Sequence, residues 1–207
     1  MKVEKVVTSG TFSLDGGTWE VDNNVWLVGD DEEVIVIDAA HDAIAIADAV
    51  AGREVVAILL THAHDDHVDA APALAEVTGA TLFLNPADAP LWDLAHPGLP
   101  LPSPLVDGQT FDVAGTTLIA RHTPGHAPGA TVFVAPDLGA VFTGDTLFQG
   151  GPGATGRSNS DFPTIVDSIT DVLLTLPPET VVHTGHGDDT TIRAEAPHRQ
   201  EWLDRGH

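Results

Sequence analysis

The chain contains no cysteine and no tyrosine, and only one methionine. Without cysteine there is neither a disulfide nor a thiolate metal site, so a metal would have to be held by nitrogen and oxygen. Basic residues are scarce. Eight Lys and Arg stand against 31 Asp and Glu, a formal charge of −23, and the only lysines are Lys2 and Lys5. A surface this acidic repels phosphate backbones, which argues against a nucleic-acid partner. Long apolar runs are missing as well. None approaches the ~20 residues needed to span a bilayer, and the opening Met1-Lys2-Val3-Glu4-Lys5 lacks the apolar core of a signal peptide. A cytoplasmic protein with no membrane partner is therefore expected. At 207 residues, the chain suits one domain, 1–207, with a large core.

What is present is concentrated. Thr61-His62-Ala63-His64-Asp65-Asp66-His67 puts three imidazoles and two carboxylates directly after the apolar run Val55–Leu60. That run reads as a buried β-strand, being short, β-branched and uncharged. The following residues, Val68 to Val77, read as a helix. The cluster thus sits at the C-terminal end of a strand, where ligands bind in open α/β layers. His62 and His64 are two apart in extended chain and project to the same side. Asp66 and His67 come where the chain turns and can face the same point from another direction. Imidazole nitrogen and carboxylate oxygen are ligands of borderline metals such as zinc.

The pattern H-x-H-x-D-H resembles the signature of the metallo-β-lactamase superfamily. Three later stretches resemble that superfamily's remaining metal motifs, in order: Thr123-Pro124-Gly125-His126, Thr143-Gly144-Asp145-Thr146-Leu147-Phe148 and Thr184-Gly185-His186-Gly187. The resemblance runs from about Asn24 to His186. It implies an α/β fold, the four-layer αββα sandwich in which two sheets face each other with helices outside. It also implies two divalent metal ions, zinc first, with iron or manganese also acceptable to such ligands. His62, His64 and His126 would hold one metal. Asp66, His67 and His186 would hold the other, and Asp145 would bridge. Asp66 and Asp145 are then the carboxylates expected to serve catalysis. An Asp at the position of Asp38, which ends a strand, supports the metal loop from behind in this superfamily.

Along the chain, residues 3–28 alternate apolar and polar with turns at Gly10, Gly16-Gly17 and Asn23-Asn24, as in antiparallel strands. Val25–Val28 and Val34–Ile37 flank a hairpin. Ala43 to Ala51 is expected to be helical, and Thr81–Leu84 extended. Residues 85–108 read as an irregular loop with one short helix near Ala89–Ala95, and His96 as an exposed loop histidine. Thr110–Val113 and Thr116–Ala120 form a hairpin. The segment from His122 to Gly129 is a rigid turn in which His126 is the ligand and His122 a neighbour. Strands are expected at Ala130–Val134, Ala140–Phe142 and Thr180–Thr184, and a helix from Phe162 to Leu176. His183 lies on the last strand and is expected to be packed or to sit behind the ligands. His198 and His207 look solvated, in a helical C-terminal stretch that Asp188–Thr191 caps.

Two metals at +4, two Asp ligands at −2 and a hydroxide at −1 leave a centre of about +1, able to polarise a carbonyl and stabilise the oxyanion. A metal-bridging hydroxide is the expected nucleophile, since metal binding lowers the pKa of water to about 7. The Thr143–Phe148 motif is similar to that of the glyoxalase II group, thioesterases acting on acyl derivatives of glutathione. The expected substrate is a small-molecule thioester. That group also uses a C-terminal helical domain, Lys and Tyr to hold glutathione, and none of these is expected here, so a different thiol carrier or a small thioester fits better. Arg157, in the Gly- and Ser-rich loop after Asp145, is placed to meet a substrate carboxylate or to form a structural ion pair, and Phe148 stands beside it as a substrate contact. The alternatives are a persulfide dioxygenase with one iron, a lactonase or β-lactamase, and a non-catalytic domain of the same fold.

Overall fold

The computed structural model describes residues 1–206, so His207 lies outside the described residues. The chain opens with two long strands, β1 (Lys2–Leu14) and β2 (Gly17–Gly29), paired antiparallel along their whole length. Asp15 and Gly16 join them with φ of 53° and 80°. Asp-Gly is the pair that supplies a two-residue turn of this hand, because both positions need φ > 0. β3 (Glu33–Ile37), β4 (Glu54–Leu59), β5 (Leu82–Leu84) and β6 (Ser103–Pro104) complete a first six-stranded sheet in chain order.

The second sheet contains β7 (Thr110–Val113), β8 (Thr116–His122), β9 (Thr131–Ala135) and β10 (Ala140–Gly144). After a small pair, β11 (Leu147–Phe148) and β12 (Gly151–Pro152), it is finished by β13 (Val181–Thr184) and β14 (Thr190–Thr191). Helices cover the outer faces: α1 (Ala43–Val50), α2 (Asp65–Val68), α3 (Ala71–Thr78) and α4 (Ala89–Ala95) on the first sheet, α5 (Phe162–Ser168), α6 (Ile192–Glu195) and α7 (Arg199–Arg205) on the second.

Strand alternation explains the layering. In β2, Val25 and Leu27 face Ile46, Val50 and Leu74 of the helices, while Trp26 and Val28 face the other sheet. There they meet Phe111, Leu118, Phe133 and Phe142. Val132, Val134, Val141 and Val182 on the far side of the second sheet pack on Ile165, Ile169 and Trp202. The central strands of both sheets are therefore buried on both faces, which is why β3, β9 and β10 read as near-continuous apolar runs, whereas β1 and the first half of β2 keep exposed positions and alternate. The result is the expected four-layer αββα sandwich.

The structure departs from the sequence reading in several places. The turns expected at Gly10 and Asn23-Asn24 do not form: Gly10 lies within β1 and Asn23 and Asn24 within β2, paired with Val21, Thr8 and Val7 in one uninterrupted ladder. The helix expected over 68–77 is two helices, α2 and α3. Ala70 turns its N–H back to Ala39 O at 3.1 Å, and Pro72, without an N–H, fits only the first turn of a new helix. The helix expected to reach Leu176 ends at Ser168 and continues as a π-turn over Ile169–Leu173. His96 is half-buried and not an exposed loop residue: it caps α4, packs tilted against Trp92 at 4.4 Å and meets Val68 O at 2.9 Å.

Phe133 is fully buried between the sheets. Phe133→Ala is expected to cost about 3–5 kcal/mol by cavity formation, read as a lower urea midpoint at unchanged slope. Val77→Ala, at a position 72% exposed, is expected to stay within about 0.5 kcal/mol.

Candidate metal centre

The four segments that carry the expected ligands follow the C-terminal ends of β4, β8, β10 and β13. Since β4 and β8 belong to different sheets, the ligands converge across the mouth between the sheets. His62 Nε2 and His126 Nε2 each lie 3.0 Å from His64 Nδ1. His67 Nε2 lies 3.3 Å from His186 Nε2, and Asp66 Oδ2 is 3.3 Å from His186 Nε2. Asp145 stands between the groups. Its Oδ1 is 3.2 Å from His67 Nε2, and its Oδ2 is 3.5 Å from His126 Nε2 and 3.4 Å from His186 Nε2.

These distances test the donor set against a metal. A tetrahedral ion with nitrogens at 2.0–2.1 Å has ligand–ligand edges of roughly 3.3–3.4 Å. The observed nitrogen–nitrogen approaches of 3.0–3.3 Å match such edges. Asp145 Oδ1 is buried yet makes no hydrogen bond despite its closeness to His67. Three overlapping groups (His62, His64 and His126; His62, His67 and Asp145; Asp66, His67 and His186) each bring three donor atoms together. The residues fit divalent metals, of which zinc and iron are both compatible with nitrogen and oxygen donors.

The protein orients these rings from behind. Asp38, at φ 55°, accepts from Thr61 N at 2.8 Å and Thr61 Oγ1 at 2.9 Å, and its Oδ2 takes His67 Nδ1 at 2.8 Å. Thr61 Oγ1 in turn meets His62 Nδ1 at 3.0 Å. Ala154 O holds His126 Nδ1 at 2.8 Å, and Asp22 O holds His186 Nδ1 at 2.7 Å. Each of these acceptors fixes the tautomer that leaves the inner nitrogen free. Close packing then requires glycine. A Cβ on Gly185 would stand 2.3 Å from Asp145 Oδ1, and Gly144, at φ 49°, would meet Thr61 Oγ1 at 2.4 Å.

Electrostatics divides the cluster. Burial pushes His62 well below the ordinary imidazole range, His64 down to about 3, and His126 downward, so these three rings are neutral donors. Burial acts the same way on His186, but Asp145 and Asp66 outweigh it and raise the ring to about 10. His67 is raised for the same reason. Burial alone would raise Asp145, yet His186 and His67 hold it well below the carboxylate range. The carboxylates thus draw positive charge to the point where a dication would stand.

Other predicted residues are placed as follows. His183 packs tilted against Trp26 at 4.4 Å, stacks on Phe142 at 4.9 Å and pairs with Asp189 at 2.9 Å. It packs between the sheets and hydrogen-bonds none of the seven, which removes the supporting role considered for it. His122 binds Pro128 O at 2.8 Å and stays outside the cluster. His198 is exposed beside Glu201. Phe148 lies 6.1 Å from the His186 ring. Arg157 lines a cavity of about 160 Å³ over the cluster. Its guanidinium carbon is 4.0 Å from the Trp19 ring and 5.0 Å from the Phe12 ring, and no carboxylate lies within 4 Å of it among the described residues.

Several contributors gave no sequence signal. Asn23 donates to Asp66 Oδ2 at 3.0 Å and is itself held by His41 Nε2 at 2.8 Å, which Asp69 holds from behind. Asp88, fully buried, accepts Ala63 N at 2.9 Å and Gly129 N at 2.5 Å and so ties the first histidine loop to the second. Burial raises its carboxyl to about 6 against those two bonds. Their partners lie 18 to 43 residues away, beyond any local pattern.

Fold and site together define a metallohydrolase-type centre, and comparison with known proteins agrees. The Metallo-beta-lactamase superfamily model matches residues 18–186, and the chain belongs to that superfamily. It is 33% identical over 188 residues to the Haemophilus influenzae protein named hydroxyacylglutathione hydrolase GloC, covering 83% of this chain and 89% of that one. Among solved structures it is similar to TTHA1623 in a di-iron-bound form (TM-score 0.76, 36% identity, 85% of this chain and 93% of that one). It is also similar to ETHE1 from Myxococcus xanthus (TM-score 0.74, 26% identity, 96% and 88%). No helix among the described residues is long and apolar enough to cross a membrane.

Asp38→Ala leaves His67 Nδ1 and Thr61 without their acceptor. It is expected to weaken metal affinity about 10–100-fold, measured by competition with a chromophoric chelator.

Proposed function

We propose that this protein is a binuclear metal-dependent thioesterase of the glyoxalase II type, acting on a small acyl-thiol conjugate. The observation that carries the reading is Asp145, whose two oxygens lie within 3.2–3.5 Å of histidines from both groups. A carboxylate so placed can join two metals, which a mononuclear site does not require. The similarity to a protein named hydroxyacylglutathione hydrolase adds the reaction class. His62, His64 and His126 would hold one ion, Asp66, His67 and His186 the other, and Asp145 both.

When bound, such a pair supplies Lewis acidity that activates water near neutral pH and polarises the thioester carbonyl. The chain's own residues do the rest. Asp38, Thr61 and the Ala154 and Asp22 carbonyls keep the rings in the productive tautomer. Asn23 fixes one oxygen of Asp66, so that carboxylate cannot swing toward the substrate. Phe12, Val21 and Arg157 wall the cavity and limit water around the reacting carbon. Arg157 is the cation that meets an anionic part of the substrate, held over the rings of Phe12 and Trp19. Lys2 and Lys5 are engaged elsewhere, with Asp31 and Asp189. With no tyrosine in the chain, the carrier is a thiol other than glutathione or a small thioester.

Protein purified without added metal is expected to hold about two metals per chain and to hydrolyse members of a thioester panel, with Asp145→Ala abolishing turnover. One iron per chain, no thioester turnover and oxygen uptake with a persulfide would overturn the reading in favour of a dioxygenase. Arg157→Ala is expected to raise KM about tenfold or more for carboxylate-bearing thioesters, with little change in kcat, and to leave neutral thioesters unaffected.

A further inference from the structure

Five imidazoles form the centre, and four of them have a fixed partner on the nitrogen that points away from it: Thr61 for His62, Asp38 for His67, Ala154 for His126, Asp22 for His186. The fifth does not. His64 turns Nδ1 to the cluster, and its Nε2 is buried with no hydrogen-bond partner, in a residue 5% exposed. With Nδ1 holding a metal, the proton would reside on Nε2, which would then be a hydrogen-bond donor facing away from the cluster. A buried donor left unmatched costs about 1–3 kcal/mol.

A second cavity, of about 410 Å³, lies against the same ring. It is lined by His64 together with the β1–β2 turn and α4, and it is distinct from the cavity that Arg157 walls, although His64 borders both. Leu14 and Leu91 are buried there, and Leu94 is 67% exposed along it. No Lys or Arg lines it. Its two acids are already engaged, Asp65 by Ser13 N and Asp15 by Ser158. Their charge disfavours a carboxylate, and the leucines favour hydrocarbon.

We propose that this groove is the acyl subsite, and that it takes an uncharged, largely apolar acyl group carrying a hydroxyl or carbonyl oxygen that accepts the His64 Nε2–H. The proposal rests on the thioesterase reading and deepens it. The groove is bordered by one residue of the centre, His64, which also borders the cavity over the cluster, so an acyl chain would enter it past that ring. The anionic part of the substrate is directed to Arg157 on the other side of the His64 ring. The two cavities thus sort a substrate by charge, neutral acyl to one side and anionic carrier to the other.

The test uses inert analogues, S-(2-oxoalkyl) thioethers of N-acetylcysteamine, in which a ketone replaces the thioester, titrated calorimetrically into the protein as purified. Affinity is expected to rise at least tenfold from the methyl to the pentyl ketone. It is expected to rise a further several-fold when a hydroxyl is added on the chain. Leu94→Glu, at an exposed position away from the ligands, is expected to abolish the chain-length gain while leaving metal content unchanged. An affinity independent of chain length, or a gain that survives Leu94→Glu, would overturn the subsite. A chain-length gain with no effect of the hydroxyl would overturn the role given to His64 Nε2. Binding needs no turnover, so a failure of the thioesterase reading shows separately, as absent hydrolysis of the parent thioesters by metal-replete protein.

Discussion

Five imidazoles and two carboxylates bring their ligand atoms within about 3–3.5 Å of one another, in a region from which most water is excluded. Nothing else in the molecule opposes stability so directly, because buried polar groups without partners are costly and buried charges more so. Divalent metals relieve the conflict, and much of the surrounding structure serves to hold it open for them. Asp38 takes up a left-handed backbone to reach Thr61 and His67. Gly185 gives up a side chain so that Asp145 can stand between the two groups, and Gly144 does so where Thr61 reaches Asp38 and His62. Asp88 spends a buried carboxylate on two backbone N–H groups of the first two histidine loops.

The sandwich makes this affordable. Each sheet is covered on both faces, so the three apolar layers secure the strands whose C-terminal ends bear the ligands. β4 and β8 belong to different sheets, and the inner layer of Trp26, Phe133 and Phe142 sets the spacing between them. A change in that layer would move His62 and His64 relative to His126. Fold stability and site geometry are therefore the same property measured at two places.

Much of this was legible in the sequence, for physical reasons. Short β-branched runs and histidines at close spacing are local signals, and the strand before His62 and the ligand-bearing turns were readable from them. The helix break at Ala70 was not, since it depends on a hydrogen bond to Ala39, 31 residues earlier in the chain. The half-buried state of His96 depends on the carbonyl of Val68. Asn23, His41 and Asp88 support the centre only through partners distant in sequence. His183 shows the converse: a histidine near the ligands in sequence whose alternation on β13 turns it toward Trp26 and Phe142 instead.

The central claim is that Asp145 joins two metal ions held by seven side chains. Anomalous diffraction from crystals of the protein as purified measures it most directly. The account predicts two metal peaks about 3.5–4 Å apart, with one oxygen of Asp145 against each or one oxygen shared between them. A single peak, with His64 or Asp66 turned away from it, would contradict the account.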